Sequence, residues 1–225
     1  MDRNIFTMIE GYMRTCMGDS AHDQEHIYRV LSNALLIAQS ETTVDYDVLI
    51  CACLLHDIAR PEQIQDPSLC HAKVGSEKAY DFLIQNGFDT DFAHRVRDCI
   101  RTHRFRKNDP PQSLEAKILF DADKLDVTGA VGIARTLVYK GTVSDPLYTR
   151  TVTGEISDGT GDEAASFFQE YKFKLEKLYD RFYTEMGGAL AAQRKAAAVS
   201  FYENLYHEVS QFDDLGKARL QELLK

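Results

Sequence analysis

The chain has 225 residues, 44% of them hydrophobic and 27% charged, which suits one large domain or a domain with a helical extension. Its apolar runs are far too short to span a bilayer, and "MDRNIFTMIEGYM" lacks the basic start and apolar middle of a signal peptide, so the expected location is the cytoplasm. A net charge of −9 argues against a general nucleic-acid binder, yet a local basic patch could still hold a small anion.

Helical spacing dominates the chain from its start. Ile5, Ile9, Tyr12 and Cys16 form one stripe, and Ile27, Val30, Leu31, Ala34, Leu35 and Ala38 a second. In "ICACLLHDIARPEQ" an apolar run from Ile50 to Leu55 reads as a helix packed in a core, and His56 and Asp57 should continue it without a break. Val74, Phe82 and Leu83 lie in a further helical segment ended by Gly87. Val96, Cys99, Ile100 and His103 share one face, as do Leu114, Ile118, Ala122 and Leu125. The five cysteines include no CxxC pair, which favours small buried hydrophobes in a reducing compartment over disulfides or a zinc knuckle.

Residues 141–161 are rich in Gly and Thr and lack a helical period, so they read as a lid, a contact surface or a disordered segment. Thr160 and Glu163 have capping-box spacing, which starts a helix just after them. Phe168, Tyr171, Leu175, Leu178 and Phe182 then repeat at three and four. Gly187-Gly188 should break that helix before a last one carrying Ala198, Tyr202, Leu205 and Val209. The fold class is all-α. The expected division is a core over residues 1–140, the loop 141–161, and C-terminal helices over 162–225.

Several inward stripes carry groups that are costly to bury. His26 borders one, His56 and Asp57 end another, and His103 lies on a third. "AKILFDADKLDVTGAVGIAR" then sets Asp121, Asp123 and Asp126 in an otherwise apolar helix, where three acids repel one another unless a cation offsets them. Imidazole nitrogens with carboxylate oxygens suit Mn, Fe, Co, Ni or Zn, and Mg is kept among the candidates.

His26, the His56-Asp57 doublet and the downstream "DADKLD" resemble the H…HD…D signature of the HD superfamily of metal-dependent phosphohydrolases. "HIYRV", "HAKVGSEKAY", "IRTHRFR", "LDVTGAVGIAR" and the closing "LYDRFYTEMGGALAAQRKAAAVSFYENL" are similar to a small stand-alone branch of that superfamily, so the likeness covers most of the chain. It implies a helical bundle with His26, His56, Asp57 and Asp123 as ligands of a divalent cation. His71 and His103 occupy places where binuclear members carry two further histidines. Asp57 would then bridge two metals; in the other reading His103 bonds a substrate phosphate and His71 caps its helix. A second doublet, His22-Asp23, lacks the preceding apolar run and reads as support rather than as ligand. Alarmone-cleaving members carry a Glu-Asp pair after the doublet, where this chain has Arg60, with Glu62 as the nearest acid.

"HRVRDCIRTHRFRK" packs six Arg or Lys around His103 in an acidic chain, with Arg97, Arg101 and Arg104 at helical spacing. Arg29, Arg60, Lys124 and Arg135 follow the other motif positions, and such groups fit an anionic phosphate better than a peptide or a neutral sugar. The expectation is hydrolysis of a phosphoester or phosphoanhydride of a nucleotide by a metal-activated water. Asp57 or Asp123 would take the proton, with Lys124 and His103 at the reacting phosphate and Arg29, Arg60, Arg101, Arg104 and Arg135 binding substrate. The rivals are a di-iron oxygenase on the six-ligand set and a catalytically silent nucleotide-binding protein. No membrane partner is expected, and the sequence leaves a homodimer open.

Overall fold

The structure is a computed structural model that describes residues 1–17, 24–104, 109–161 and 164–224. It is all-α: the described residues form ten α-helices, one 3-10 turn and a single isolated β-bridge. The chain divides into two compact units, Met1–Asp126 with Phe182–Ala189, and Val127–Arg181 with Leu190–Lys225. The first compact unit thus takes in a short piece from near the C-terminus.

In the first unit the helices are α1 (Arg3–Cys16), α2 (Gln24–Ala38), α3 (Tyr46–Leu55), α4 (Arg60–Gln65), α5 (His71–Gln85), α6 (Thr90–Thr102) and α7 (Leu114–Leu125). Asp2, Asp45, Asp89 and Ser113 accept backbone N–H bonds at the starts of α1, α3, α6 and α7, satisfying donors that a helix cannot pair internally. α3 is apolar all round because it is buried all round, with α1, α2, α5, α6 and α7 packed against it. Every residue from Leu54 to Ala59 is shut off from solvent, so the doublet His56-Asp57 sits at the deepest end of the bundle.

The expected unbroken helix through the doublet does not form. α3 ends at Leu55, His56 caps it in helical geometry, and the chain turns through Ala59 with three-residue bonds from Ile58 N–H to Leu55 O and Arg60 N–H to Asp57 O. Pro61, in the first turn of α4, has no N–H for the Asp57 carbonyl, which closes off an α-helical continuation. That turn carries Asp57 away from the helix axis and into the interior.

The second unit holds α8 (Gly129–Thr142), α9 (Phe167–Phe173), a 3-10 turn (Leu175–Lys177) and most of α10 (Glu185–Leu223). Its core joins Ile133, Ile156, Phe167, Phe168, Tyr171, Leu175, Leu178, Ala198 and Tyr202. The aromatic stripe from Phe168 is not one helix: α9 stops at Phe173, and Leu175 and Leu178 stay on the core side because three-residue spacing eclipses in a 3-10 turn. α9 starts with Ser166 as its cap; Glu163 of the expected capping box lies outside the described residues. In the loop before it, Arg150 pairs with Ile156 across a β-bridge and its guanidinium forks onto Asp213 at 2.6 and 3.0 Å.

Gly187-Gly188 does not break a helix either. Both residues lie in the first turn of α10, and Gly187 is there for space: a Cβ would stand 2.7 Å from Asp121 Oδ2 and 2.7 Å from Thr184 Oγ1. Among the described residues no helix is long and apolar enough to cross a membrane, and all five cysteines are free thiols.

Candidate metal centre

Five elements of the first unit aim side chains at one buried point. α2 supplies His26, the turn after α3 supplies His56 and Asp57, α5 begins with His71, His103 caps α6, and α7 carries Asp123. The ligand atoms fall into two groups, His26–His56–Asp123 and Asp57–His71–His103, each with its atoms within 4.8 Å of one another. Asp57 lies at the centre. Its Oδ2 is 3.5 Å from His26 Nε2 and 3.8 Å from His56 Nε2, while Oδ1 is 3.2 Å from His71 Nε2 and 3.6 Å from His103 Nε2. Asp123 Oδ1 stands 3.3 Å from His26 Nε2 and 3.9 Å from His56 Nε2. All are buried except Asp123, whose side chain is 25% exposed and so marks the side from which solvent reaches the cluster.

Each of the four imidazoles is held by its other nitrogen. His26 Nδ1–H donates to Asp126 Oδ2 at 2.7 Å, His56 Nδ1–H to Cys53 O at 2.8 Å, His103 Nδ1–H to Ile100 O at 2.6 Å, and His71 Nδ1–H to Gln63 Oε1. With Nδ1 protonated, a neutral ring presents the Nε2 lone pair to the centre. Two such pairs face each other, His26 with His56 and His71 with His103, each with Nε2 atoms 3.3 Å apart. Asp57 Oδ1 is buried with no hydrogen-bond partner among the described residues. Four imidazole nitrogens crowded onto one buried carboxylate, with its Oδ1 orphaned, are costly as they stand, and a cation between them removes the cost. The residues fit a metal.

The electrostatics agree. Burial lowers His56 and His71 to about 4, so both are neutral at pH 7 and ready to ligate. Burial would also raise Asp57, but the Arg60 guanidinium and neighbouring imidazoles hold it well below the carboxylate range. Asp123 is likewise held low against burial, chiefly by His26. His26 goes the other way: burial lowers it, and the carboxylates of Asp123, Asp126 and Asp57 outweigh that and raise it to about 10.

The basic residues fall into distinct environments. Arg29 forks onto Asp126, with Nε to Oδ1 at 2.7 Å and Nη2 to Oδ2 at 3.1 Å, and Arg60 Nε donates to Asp57 Oδ2 at 2.9 Å. Both brace carboxylates. Arg104 is half-buried at the cluster's edge, its Nη1 3.4 Å from His71 Nδ1. Arg101 is exposed and pairs with Asp109 at 3.5 Å. Lys124 lies 4.4 Å over the Phe120 ring, and Arg135 sits on α8 in the second unit. Asp121 is outside the cluster: it accepts from Tyr183 N–H, Thr184 N–H and the Thr184 hydroxyl, which satisfies its burial without a cation. His22 and Asp23 lie outside the described residues.

Two residues that support the cluster stand outside the expected ligand set, Asp126, named among the three acids of its helix, and Gln63. Asp126 stands three residues after Asp123 on the same face of its helix end, a spacing that could have flagged it. Gln63 is fixed by its own amide, whose Nε2 donates to Leu69 O at 2.9 Å while Oε1 faces His71. No local pattern announces a glutamine in that role.

A helical bundle with imidazoles and carboxylates converging at the end of its central helix is an arrangement that could hold divalent cations. The HD domain family matches residues 24–128. The uncharacterised protein YpgQ of Bacillus subtilis (strain 168) is 30% identical over 198 residues, 86% of this chain and 87% of its own. The crystal structure of Bacillus subtilis YpgQ in complex with ADP shares 27% identity at a TM-score of 0.69, covering 91% of this chain and 97% of that one. A predicted HD superfamily hydrolase from an uncultured Thermotogales bacterium shares 32% identity at a TM-score of 0.61, over 90% and 91% of the two chains. The chain belongs to the HD superfamily.

Proposed function

We propose that the protein is a metal-dependent phosphohydrolase acting on a nucleotide phosphoester or phosphoanhydride, with divalent cations held by His26, His56 and Asp123 in one half and by His71, His103 and Asp57 in the other. The observation that carries this reading is the set of four inward Nε2 atoms around the buried Asp57 carboxylate, two facing each oxygen. Asp57 turns one oxygen to each half, as a carboxylate shared between two cations would.

Cations at this place would polarise a phosphoryl oxygen and supply hydroxide near neutral pH. The chain's own residues do the rest. Asp123, the partly exposed carboxylate, accepts the proton of the attacking water. Arg104 offers its guanidinium to phosphate oxygens at the rim, where charge spreads during transfer. Arg29 and Arg60 hold Asp126 and Asp57 in place, so their contribution to substrate binding is indirect. YpgQ in complex with ADP supports a nucleotide as the substrate class.

The test is to strip the protein with a chelator, restore Mn, Fe, Co, Ni, Zn or Mg singly, and screen nucleotides for release of phosphate or pyrophosphate. Release that needs both cation and intact Asp57 is the expected result. ADP binding without release would make the protein a nucleotide sensor. Oxygen consumption by the iron-loaded form, with no phosphate released, would make it a di-iron oxygenase on the same ligand set.

A further inference from the structure

Each half of the cluster has one imidazole bonded to a backbone carbonyl, His56 to Cys53 O and His103 to Ile100 O, and the halves differ in how the other imidazole is braced. On one side, His26 donates Nδ1–H to a carboxylate, Asp126 Oδ2 at 2.7 Å, and that carboxylate is itself gripped by both Nε and Nη2 of Arg29. Asp126 is shut off from solvent, and its two oxygens are thereby fully directed. On the other side, His71 donates to the neutral amide of Gln63 and His103 to the backbone carbonyl of Ile100. Asp57 serves both halves: Arg60 holds its Oδ2, the oxygen nearer His26 and His56, at 2.9 Å, while Oδ1 faces His71 and His103. An imidazole hydrogen-bonded to a carboxylate is a stronger donor to a cation than one bonded to an amide or carbonyl, and its ring is oriented more firmly. The half containing His26 also keeps Asp123, whose described partners are the imidazoles of His26 and His56.

We propose that the Arg29–Asp126 pair positions His26 and makes His26–His56–Asp123 the tighter of two unequal cation positions, leaving Asp57–His71–His103 as a weaker, exchangeable one. This rests on the cluster being a two-cation site, as proposed above. Asp126 and Arg29 are positioning residues; neither touches the reacting atoms. Unequal positions fit an enzyme that keeps one cation resident and admits the other with its anionic substrate, since a nucleotide phosphate group carries divalent cations of its own.

The experiment is titration of chelator-stripped protein with Mn(II), counting free ion by its electron paramagnetic resonance signal. Wild type should bind two equivalents in two classes separated by at least tenfold. Asp126→Asn and Arg29→Gln should weaken the tight class about ten- to a hundredfold and leave the weak class where it was. Gln63→Leu should do the reverse. Far-ultraviolet circular dichroism of each stripped variant checks folding, and Arg29→Gln carries the test if Asp126→Asn does not fold. Two equal classes in wild type, or an unchanged tight class in both Asp126→Asn and Arg29→Gln, overturns the proposal while leaving a metal centre in place. Wild type that binds no Mn(II), or any other divalent ion, removes the metal reading itself and is distinguishable from both.

Discussion

Arg60 reaches back three residues to give its Nε–H to Asp57 Oδ2 at 2.9 Å, leaving Oδ1 of the same carboxylate to face His71. The bond orients the one acid that both halves of the cluster share. It also makes Arg60 a brace of the cluster rather than a free cation at its edge.

Replacing Arg60 by Gln should therefore act on the site's architecture more than on substrate affinity. Loss of a charge-assisted bond to a buried carboxylate should cost about 1.5–3 kcal/mol of folding stability in the metal-free protein. KM for the substrate should move less than tenfold. Urea unfolding and steady-state kinetics read the two separately, and a large rise in KM at unchanged stability would return Arg60 to the substrate.

Asp57→Ala should abolish bound metal in both halves, because its carboxylate lies within 3.8 Å of all four imidazoles. Elemental analysis of the purified variant decides it. Full occupancy would show that Asp57 is a bystander.

The helical class and the motif residues are legible in the sequence for a physical reason. Inward stripes at three and four residues announce a core, and His26, His56, Asp57, His103 and Asp123 stand out because they are polar where a core should be apolar. The braces are not legible in this way. The His26–Asp126 bond joins residues 100 apart, and Asp121 and Asp126 look alike on one helix although one is held by backbone N–H groups and the other by Arg29. The aromatic repeat from Phe168 to Phe182 suggests one long helix because a 3-10 turn and an α-helix both tolerate an i, i+3 step. Gly187 suggests a break because composition cannot distinguish a glycine chosen for flexibility from one chosen for space.

Asp121 and Gly187 form one latch, and their variants should behave alike. Asp121→Ala strands the Tyr183 and Thr184 N–H groups, at about 1–3 kcal/mol for each buried donor left unpaired. Gly187→Ala would gain up to about 1 kcal/mol of helix propensity, but its Cβ meets Asp121 Oδ2 at 2.7 Å, so the net change should be a loss. Both should lower thermal stability and keep bound metal, since Asp121 is no ligand in this arrangement. Metal loss in Asp121→Ala at unchanged stability would place it back in the cluster.

The last prediction is a pH dependence with opposite limbs. In the metal-free protein His26 is raised to about 10 by Asp123, Asp126 and Asp57 against the opposing effect of burial. Its folded value lies above its unfolded one, so its contribution to stability is fully present below about 6.5 and is lost as pH rises through about 10. His56 and His71, lowered to about 4 by burial, do the reverse: the unfolded chain binds their protons first, so stability falls as pH drops from about 6.5 toward 4. The metal-free protein should thus be most stable near neutral pH. Urea unfolding of the chelator-stripped protein from pH 4 to pH 10 reads both limbs. Asp126→Asn should flatten the alkaline limb, because one of the three carboxylates that raise His26 is then neutral. Stability that does not fall between pH 7 and 10 would mean that His26 gains no proton on folding and that the carboxylates around it are offset in some other way.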